Sequence, residues 1–465
     1  MGVQSGMNQS RWLSLLVLCC GFLLIVVDIT IVNVALPSIG RDLGFDARGL
    51  AWVINGYLVA FAGLLLLSGR LADLVGPKRV FLTGLVLFVA ASAACGLAPS
   101  RETLVAARFI QGAGGAASSG VILAMIVNLF PTPGDQARAF GLFGVVASAG
   151  AAVGLVAGGL ITSAVSWHWI FFVNVPLGVV VTAAAWRLLP AVPGVGLRAG
   201  ADVPGAVLVT GALMLGVYAI VAPSAWAGVV AVAGLVAFVV RQLRAATPIL
   251  PLRVFRSRVT SGANGVQALL TAGFMAFFFL GSLDLQRVLG YGPLAIGLAF
   301  LPVAVTMGAF SARLSAAVVM RYGAFRVMLC GEAVIAAALL MLALGPVHAS
   351  YPVHLLLPLT LLGLGGGLCF PSLTMIAMAG ADPADAGLAS GLFNTTGQVG
   401  GALGVAVLAA VAAVAGGGSL AVGIHTAWLV GSILTIAALA LSVGVLRPGA
   451  PAYSPANELD EEEAA

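Results

Sequence analysis

The chain has 465 residues, of which 61% are hydrophobic and 8% charged, and its formal net charge is +5. Water-soluble domains carry about 25% charged residues, so this composition excludes a soluble globular protein. The positive balance is not a nucleic-acid signal, because the cations sort by loop as they do in membrane proteins.

The first apolar run, 12–36, holds a single charge, Asp28, inside LSLLVLCCGFLLIVVDITIVNVALPSI. It is too long for a signal-peptide core and is read as an uncleaved anchor. Runs follow at 50–68, 80–98, 103–127, 138–163, 169–189, 203–222 and 225–241, then at 259–282, 293–317, 325–345, 353–376, 386–415 and 423–446. Apolar stretches of about 17–25 residues cross a bilayer as helices, so an all-α integral membrane protein with fourteen transmembrane helices is expected. With the N-terminus inside, every Lys and Arg falls in an inner loop except Arg41, Arg48, Arg101 and Arg287 outside and Arg108 within a span. That bias predicts cytoplasmic termini, including a disordered acidic tail over 448–465.

A carboxylate inside a span is costly unless it faces protein or a water-filled cavity, which makes Asp28 a candidate functional acid. Arg108 enters the membrane from the same side, and at about 1.5 Å per residue the two lie about 12 Å and 9 Å deep. They are therefore expected to couple directly or through water. Gln111 lies one turn from Arg108 on the same face. Asn33, Asn55 and Tyr57, with Asn394 and Gln398 four residues apart, are polar at depths where lipid cannot satisfy them. As a set they suggest an apolar cavity with a few polar anchors; singly, each serves as well to tie two helices together. Asp284 is read as solvated or as a contact for a cationic ligand, and Glu332 as paired with a nearby arginine.

Displacing the chain by 250 residues aligns AFGLFGVVASAGAAVGL from Ala139 with ASGLFNTTGQVGGALGV from Ala389. A second pair, SGRLADLVGPKRV from Ser68 and SARLSAAVVMRYGAFRV from Ser311, agrees, although the second copy lacks Asp73 and has gained residues. The layout predicted is two six-helix bundles, 1–190 and 251–447, with two extra helices inserted over 191–250, an arrangement of secondary transporters. Gly150, Gly154 and Gly158, at G-x-x-x-G spacing, and the adjacent Gly159 are read as a seam or hinge for such motion.

Cys19, Cys20, Cys95, Cys330 and Cys369 form no C-x-x-C pair, and the four histidines are scattered, so neither a metal site nor a disulfide framework is expected. No P-loop occurs, which argues against direct ATP drive, and no nucleophile–base or carboxylate pair suggests an enzyme.

DITIVNVALPSI at Asp28, GRLADLVGPKRV at Gly69 and LVAARFIQGAGGA around Arg108 resemble, in combination, signature stretches of the major facilitator superfamily and its fourteen-helix drug/proton antiporter family. WHWIFFVNVPLG from Trp167 and LASGLFNTTGQVGGALG from Leu388 support the subfamily. By that resemblance, Asp28 is a proton-linked acid with Arg108 as partner, and Gly69, Asp73 and Arg79 stabilise a closed cytoplasmic gate. It implies export of a lipophilic drug or antibiotic, cationic ones included, across a bacterial cytoplasmic membrane. The protein would be a monomer with no cofactor, driven by the proton gradient, with no nucleic-acid partner. The sequence departs from the family at Leu155, where antiporters carry proline, at His168 and at Gly397. Import or facilitated diffusion of a metabolite is the alternative, and a membrane sensor a more distant one.

Overall fold

The computed structural model describes residues 2–130, 133–194, 196, 202–221, 224–245, 248–311, 315–347, 350–379, 386–417 and 419–446; the tail expected over 448–465 lies outside them. Among the described residues every regular element is helical. In chain order they are α1 (Gly2–Asp42), α2 (Ala47–Val75), α3 (Pro77–Gly96), α4 (Arg101–Leu129), α5 (Pro133–Ala164), α6 (Trp169–Phe172), α7 (Asn174–Leu188) and α8 (Val203–Val221). There follow α9 (Ala225–Arg244), α10 (Arg258–Leu283), α11 (Pro293–Ala309), α12 (Ser315–Tyr322), α13 (Ala324–Ala343), α14 (Leu356–Ala379), α15 (Ala386–Ala415) and α16 (Leu420–Val445). A helix pairs its own backbone groups, which hydrocarbon requires. Where helices start near water, side chains take over: Asp46 accepts from Gly49 N at 2.7 Å and Ser100 forms a capping box with Thr103. Gly76 and Gly323, at φ 98° and 82°, reverse the chain into α3 and α13, a backbone that glycine adopts without a Cβ penalty.

Each of the fourteen predicted runs coincides with helix, the sixth with α6 and α7 together. Membrane-crossing length and hydropathy are met by eleven helices, and by a twelfth if α2, bent by 49° between Gly49–Leu65 and Leu67–Val75, is one span. The remaining two candidates are shorter apolar stretches, Val153–Ala164 within α5 and Pro293–Ala309, so the count of fourteen is not reached on those criteria.

Packing follows the repeat. α1 packs on α5 and α7, α4 on α2 and α3, and α3 on α7; correspondingly α10 packs on α15 and α16, α14 on α11 and α13, and α13 on α16. The two sets meet through α2 with α15 and α5 with α11. Glycines fix the register. A Cβ on Gly84 of α3 would lie 2.8 Å from the carbonyl of Gly114 in α4, and one on Gly331 of α13 would lie 2.7 Å from that of Gly365 in α14. The first crossing holds α3 and α4 close enough for their polar side chains to meet.

The inserted α8 lies against α9, α2 and α15. Its base is clasped by Asp202, which accepts from Arg241, from Gln242 and from Gly205 N, while Gln242 Oε1 accepts from Leu250 N. Burial alone would raise the Asp202 carboxyl, but the donors from Gln242, Arg241 and Gly205 outweigh it and hold the group below its usual range. Exposed Val229, Val232, Val236 and Val239 on α9 demand lipid.

A leucine at Gly114 would overlap Phe88 N and Gly84 O, whereas Gly211 on α8 has nothing within 4 Å of a Cβ. We expect Gly114→Leu to destabilise the purified protein by about 1–3 kcal/mol or more and Gly211→Leu to leave its thermal midpoint unchanged, both measured by thermal unfolding in one detergent.

Candidate functional site: a buried carboxylate network beside an apolar cavity

Asp28 sits in the middle of α1 with no exposed surface, and the groups that bond to it come from two other helices. Arg108 Nη1 on α4 donates to Asp28 Oδ2 at 2.6 Å, Gln111 Nε2 on α4 to Oδ1 at 2.8 Å, and Asn174 Nδ2 on α7 to Oδ1 at 2.9 Å. Ser92 Oγ on α3 accepts from both Gln111 (2.9 Å) and Asn174 (3.1 Å). Arg108 is in turn held by Val53 O of α2 at 2.9 Å and by Gln111 Oε1 at 2.6 Å, and its guanidinium lies over the Tyr57 ring, 4.5 Å from the centroid. The coupling expected from depth alone is thus a direct ion pair, both members buried to 2% exposure or less.

Such a pair has an unfavourable side. Removing two ions from water costs several kcal/mol each, and their attraction offsets this only when further hydrogen bonds fill the remaining positions. Gln111, Asn174 and Val53 O supply those bonds. Arg108 also forms part of the wall of a pocket.

That wall belongs to a cavity lined by Ile29 and Asn33 of α1, Ile54, Tyr57 and Leu58 of α2, Arg108, and Met275 of α10. Arg108 stands between the cavity and Asp28. Of the residues predicted to line a cavity, Asn33 and Tyr57 do so, and Gln111 belongs to the Asp28 network. Asn55 is fully buried with neither amide atom paired, and Tyr57 Oη is likewise unpaired. Asn394 is exposed on α15 and Gln398 is half-buried. Asp284 is a correction: it is 4% exposed, so it is not solvated, and it lies past the end of α10 in a π-turn, Asp284–Val288, away from this cavity.

Glu332 is another correction. Its partner is the hydroxyl of Ser442, which donates to Oε1 at 2.8 Å, and none of the ion pairs among the described residues involves it. Gly150, Gly154 and Gly158 face α1, where Cβ atoms would meet Leu23, Thr30 and Ile31, so they pack within one set of helices. Gly159 alone of the four faces α11, where Pro293 O would lie 2.7 Å from a Cβ. Gly69 has no neighbour within 4 Å of a Cβ; Asp73 is 68% exposed beside Arg70, 4.0 Å away, and Arg79 is exposed. Within the loop motif Lys78 Nζ donates to Leu189 O, and Leu74 O accepts from Gly196 N.

Ser92 and Asn174 escaped the sequence reading. Asn174 stands within the quoted WHWIFFVNVPLG stretch, and its place after the break at Val173 is the signal that could have marked it. Among the described residues the second set of helices has no such network around an ion pair. Gly400 meets Ala268 and Thr271 as Gly150 meets Leu23 and Val26, which places Gly273 where Asp28 stands. The glycine crossings place Leu339, Leu359 and Leu362 where Ser92, Arg108 and Gln111 stand, and all three are buried.

The family model described as Major Facilitator Superfamily matches residues 18–405. The chain belongs to that superfamily. Among its relatives are the puromycin resistance protein pur8 of Streptomyces alboniger, 39% identical over 87% of this chain and 82% of that one, and the cephamycin export protein CmcT of Amycolatopsis lactamdurans, 38% identical over 95% and 93%. The lincomycin resistance protein of Streptomyces lincolnensis is 36% identical over 88% and 86%. The fold is shared with the nucleoside transporter NupG (TM-score 0.68, 15% identity, 94% of this chain and 100% of that one) and an auto-inhibited POT family peptide transporter (0.70, 18%, 96% and 99%). This facilitator is therefore a multi-pass membrane protein of a transporter family.

Removing one member of the buried pair leaves the other charge uncompensated, at a cost of about 3–5 kcal/mol. We expect Arg108→Leu to cost that much and Asp28→Leu with Arg108→Leu to cost less than Arg108→Leu alone, a coupling that a double-mutant cycle by thermal unfolding measures.

Proposed function

We propose that this facilitator exports a lipophilic, antibiotic-like compound from the bacterial cytoplasm in exchange for protons, by alternating access between two six-helix bundles. The observation that carries this reading is the Asp28–Arg108 pair set one side chain behind an apolar cavity to which both sets of helices contribute. The cavity's lining is mostly apolar, with Ile29, Ile54, Leu58 and Met275 around Asn33, Tyr57 and Arg108, and such a lining, once widened, suits a lipophilic ligand. The names of the relatives, antibiotic resistance and export proteins, point the same way.

In the proposed cycle the face where α1 begins is cytoplasmic, consistent with the loop cations. Asp28 takes a proton from outside, Arg108 loosens from it, and the freed wall reorients. Substrate entering from the cytoplasm then competes with the proton through Arg108 and Tyr57. Binding both faces of one site in turn is what converts a gradient into export. Gly69 and Asp73 would close on the opposite set in one of the two states, where Asp73 would meet the positive end of a helix.

Facilitated diffusion is a second reading, favoured by Leu155, which leaves α5 without the proline that the antiporter motif carries. Proteoliposome transport separates the two. With an imposed pH gradient and ethidium or puromycin as trial substrates, wild type should move substrate against its gradient and Asp28→Asn should lose at least about 90% of that flux, a factor of ten or about 1.4 kcal/mol in rate terms, while still binding substrate. Undiminished uphill transport by Asp28→Asn would refute the coupling role, and transport only downhill by wild type would establish facilitated diffusion.

A further inference from the structure

Asp284 is a buried carboxyl that the Asp28 network does not use. Its Oδ1 is sealed from solvent without a hydrogen-bond partner, and none of the ion pairs among the described residues includes it. By contrast Asp28 and Asp202 each accept from three donors, while Glu332 accepts from Ser442 at Oε1 and leaves Oε2 buried and unpaired. The residue opens the π-turn Asp284–Val288, an irregular end to α10 whose Leu289 N donates back to Asp284 O at 3.0 Å. Irregular turns of this kind concentrate at functional sites.

The turn packs on α10, α11 and α16. Charged and titratable groups are few there. α11 carries none; α16 carries His425, stacked on Trp428; and α10 carries Arg258, about 39 Å along the helix at 1.5 Å per residue. On the turn itself Arg287 points away, with Nη2 3.2 Å from where a Cβ on Gly40 of α1 would lie, and Tyr291 follows beyond it. At the neighbouring end of α1, Asp42 accepts from Trp167 Nε1 at 2.8 Å, and Arg41 is exposed.

Two contacts between the sets of helices bracket the residue. Two positions before it, Ser282 Oγ donates to Asn33 O of α1 at 2.6 Å; three positions after it, Arg287 reaches Gly40. Nearby, Gly159 and Gly297 bring α5 and α11 into backbone contact. These contacts close the face that the proposed topology assigns to the exterior, and Asp284 stands in the chain between two of them. An ionised carboxylate enclosed without a partner costs several kcal/mol, and hydration on opening removes that cost.

We propose that Asp284 is a second proton-binding site, separate from Asp28, which takes its proton from the external medium and thereby holds the external seam shut. The proton adds to one carboxyl oxygen from water, and no other group changes. Because the closed seam binds that proton more tightly than the open one, acidification outside shifts the population toward closure. An exporter gains from this, since the proton that enters the open external face also favours its closing. The inference rests on the alternating-access part of the proposed function and not on the direction of transport or the identity of the substrate.

The test is conformational and needs no substrate. With the native cysteines replaced, spin labels at Val165 beyond α5 and Leu294 on α11, both exposed, straddle the seam, and electron–electron double resonance in nanodiscs reads their distance. Between about pH 8 and about pH 5.5, a range spanning strongly perturbed carboxyls, the closed-to-open ratio should rise roughly tenfold in the wild type. Asp284→Asn and Asp284→Leu should be closed at both values, Asp284→Glu should keep the response, and Asp28→Asn should keep a response as well. A wild-type response in folded Asp284→Asn or Asp284→Leu, or no response in the wild type, would overturn the proposal. Uphill export absent from proteoliposomes while the seam still responds to pH would instead refute the export reading and leave this one standing.

Discussion

A carboxylate and a guanidinium lying 2.6 Å apart with almost no exposed surface set the terms for the rest of this fold. Neither ion is tolerable in hydrocarbon by itself, and the pair becomes tolerable only because Gln111, Asn174 and the carbonyl of Val53 occupy their remaining hydrogen-bonding positions. Those groups come from α2, α4 and α7, and Ser92 of α3 braces two of them. Five of the first seven helices must therefore be placed to within hydrogen-bonding tolerance around one point. The glycine crossing of α3 on α4 and the approach of Gly56 to the backbone of Val105 in α4 are packing solutions to that requirement. The second set repeats the crossings with Gly273 and leucines at the corresponding places, so the buried ion pair belongs to the first set, while the second buries the single acids Asp284 and Glu332.

Glycine crossings bring backbones together within each set and also between them, where Gly159 meets α11, Ser282 meets Asn33 and Arg287 meets Gly40. The small cavity lies between the two sets, with Met275 of α10 on one wall and Tyr57 of α2 on another. The inserted α8 bridges α2 and α15 and is anchored by the Asp202 clasp.

Much of this was legible in the sequence, for physical reasons that differ by feature. The helices were, because a bilayer leaves few alternatives to a long apolar run; the count was less so, because Pro293–Ala309 and the bent α2 fall short of simple length and hydropathy criteria. Asp28 and Arg108 were, because depth along a helix follows from residue number. Asn174 and Ser92 were not, since small polar residues are common in membrane helices and only tertiary structure brings these two onto one carboxylate. Glu332 misled for a related reason: burial implies a partner but not its type, and a serine hydroxyl on α16 serves where an arginine was expected. Asp284 misled because a helix end in sequence implies water, while the π-turn folds it under three neighbouring helices.

The central claim is that Asp28 carries a proton that substrate binding displaces. The most direct measurement is proton release on adding substrate to the detergent-purified protein in weak buffer, followed with a pH indicator. The account predicts release by the wild type and none by Asp28→Asn at equal substrate occupancy. Equal release from both would contradict it and place the coupled proton elsewhere.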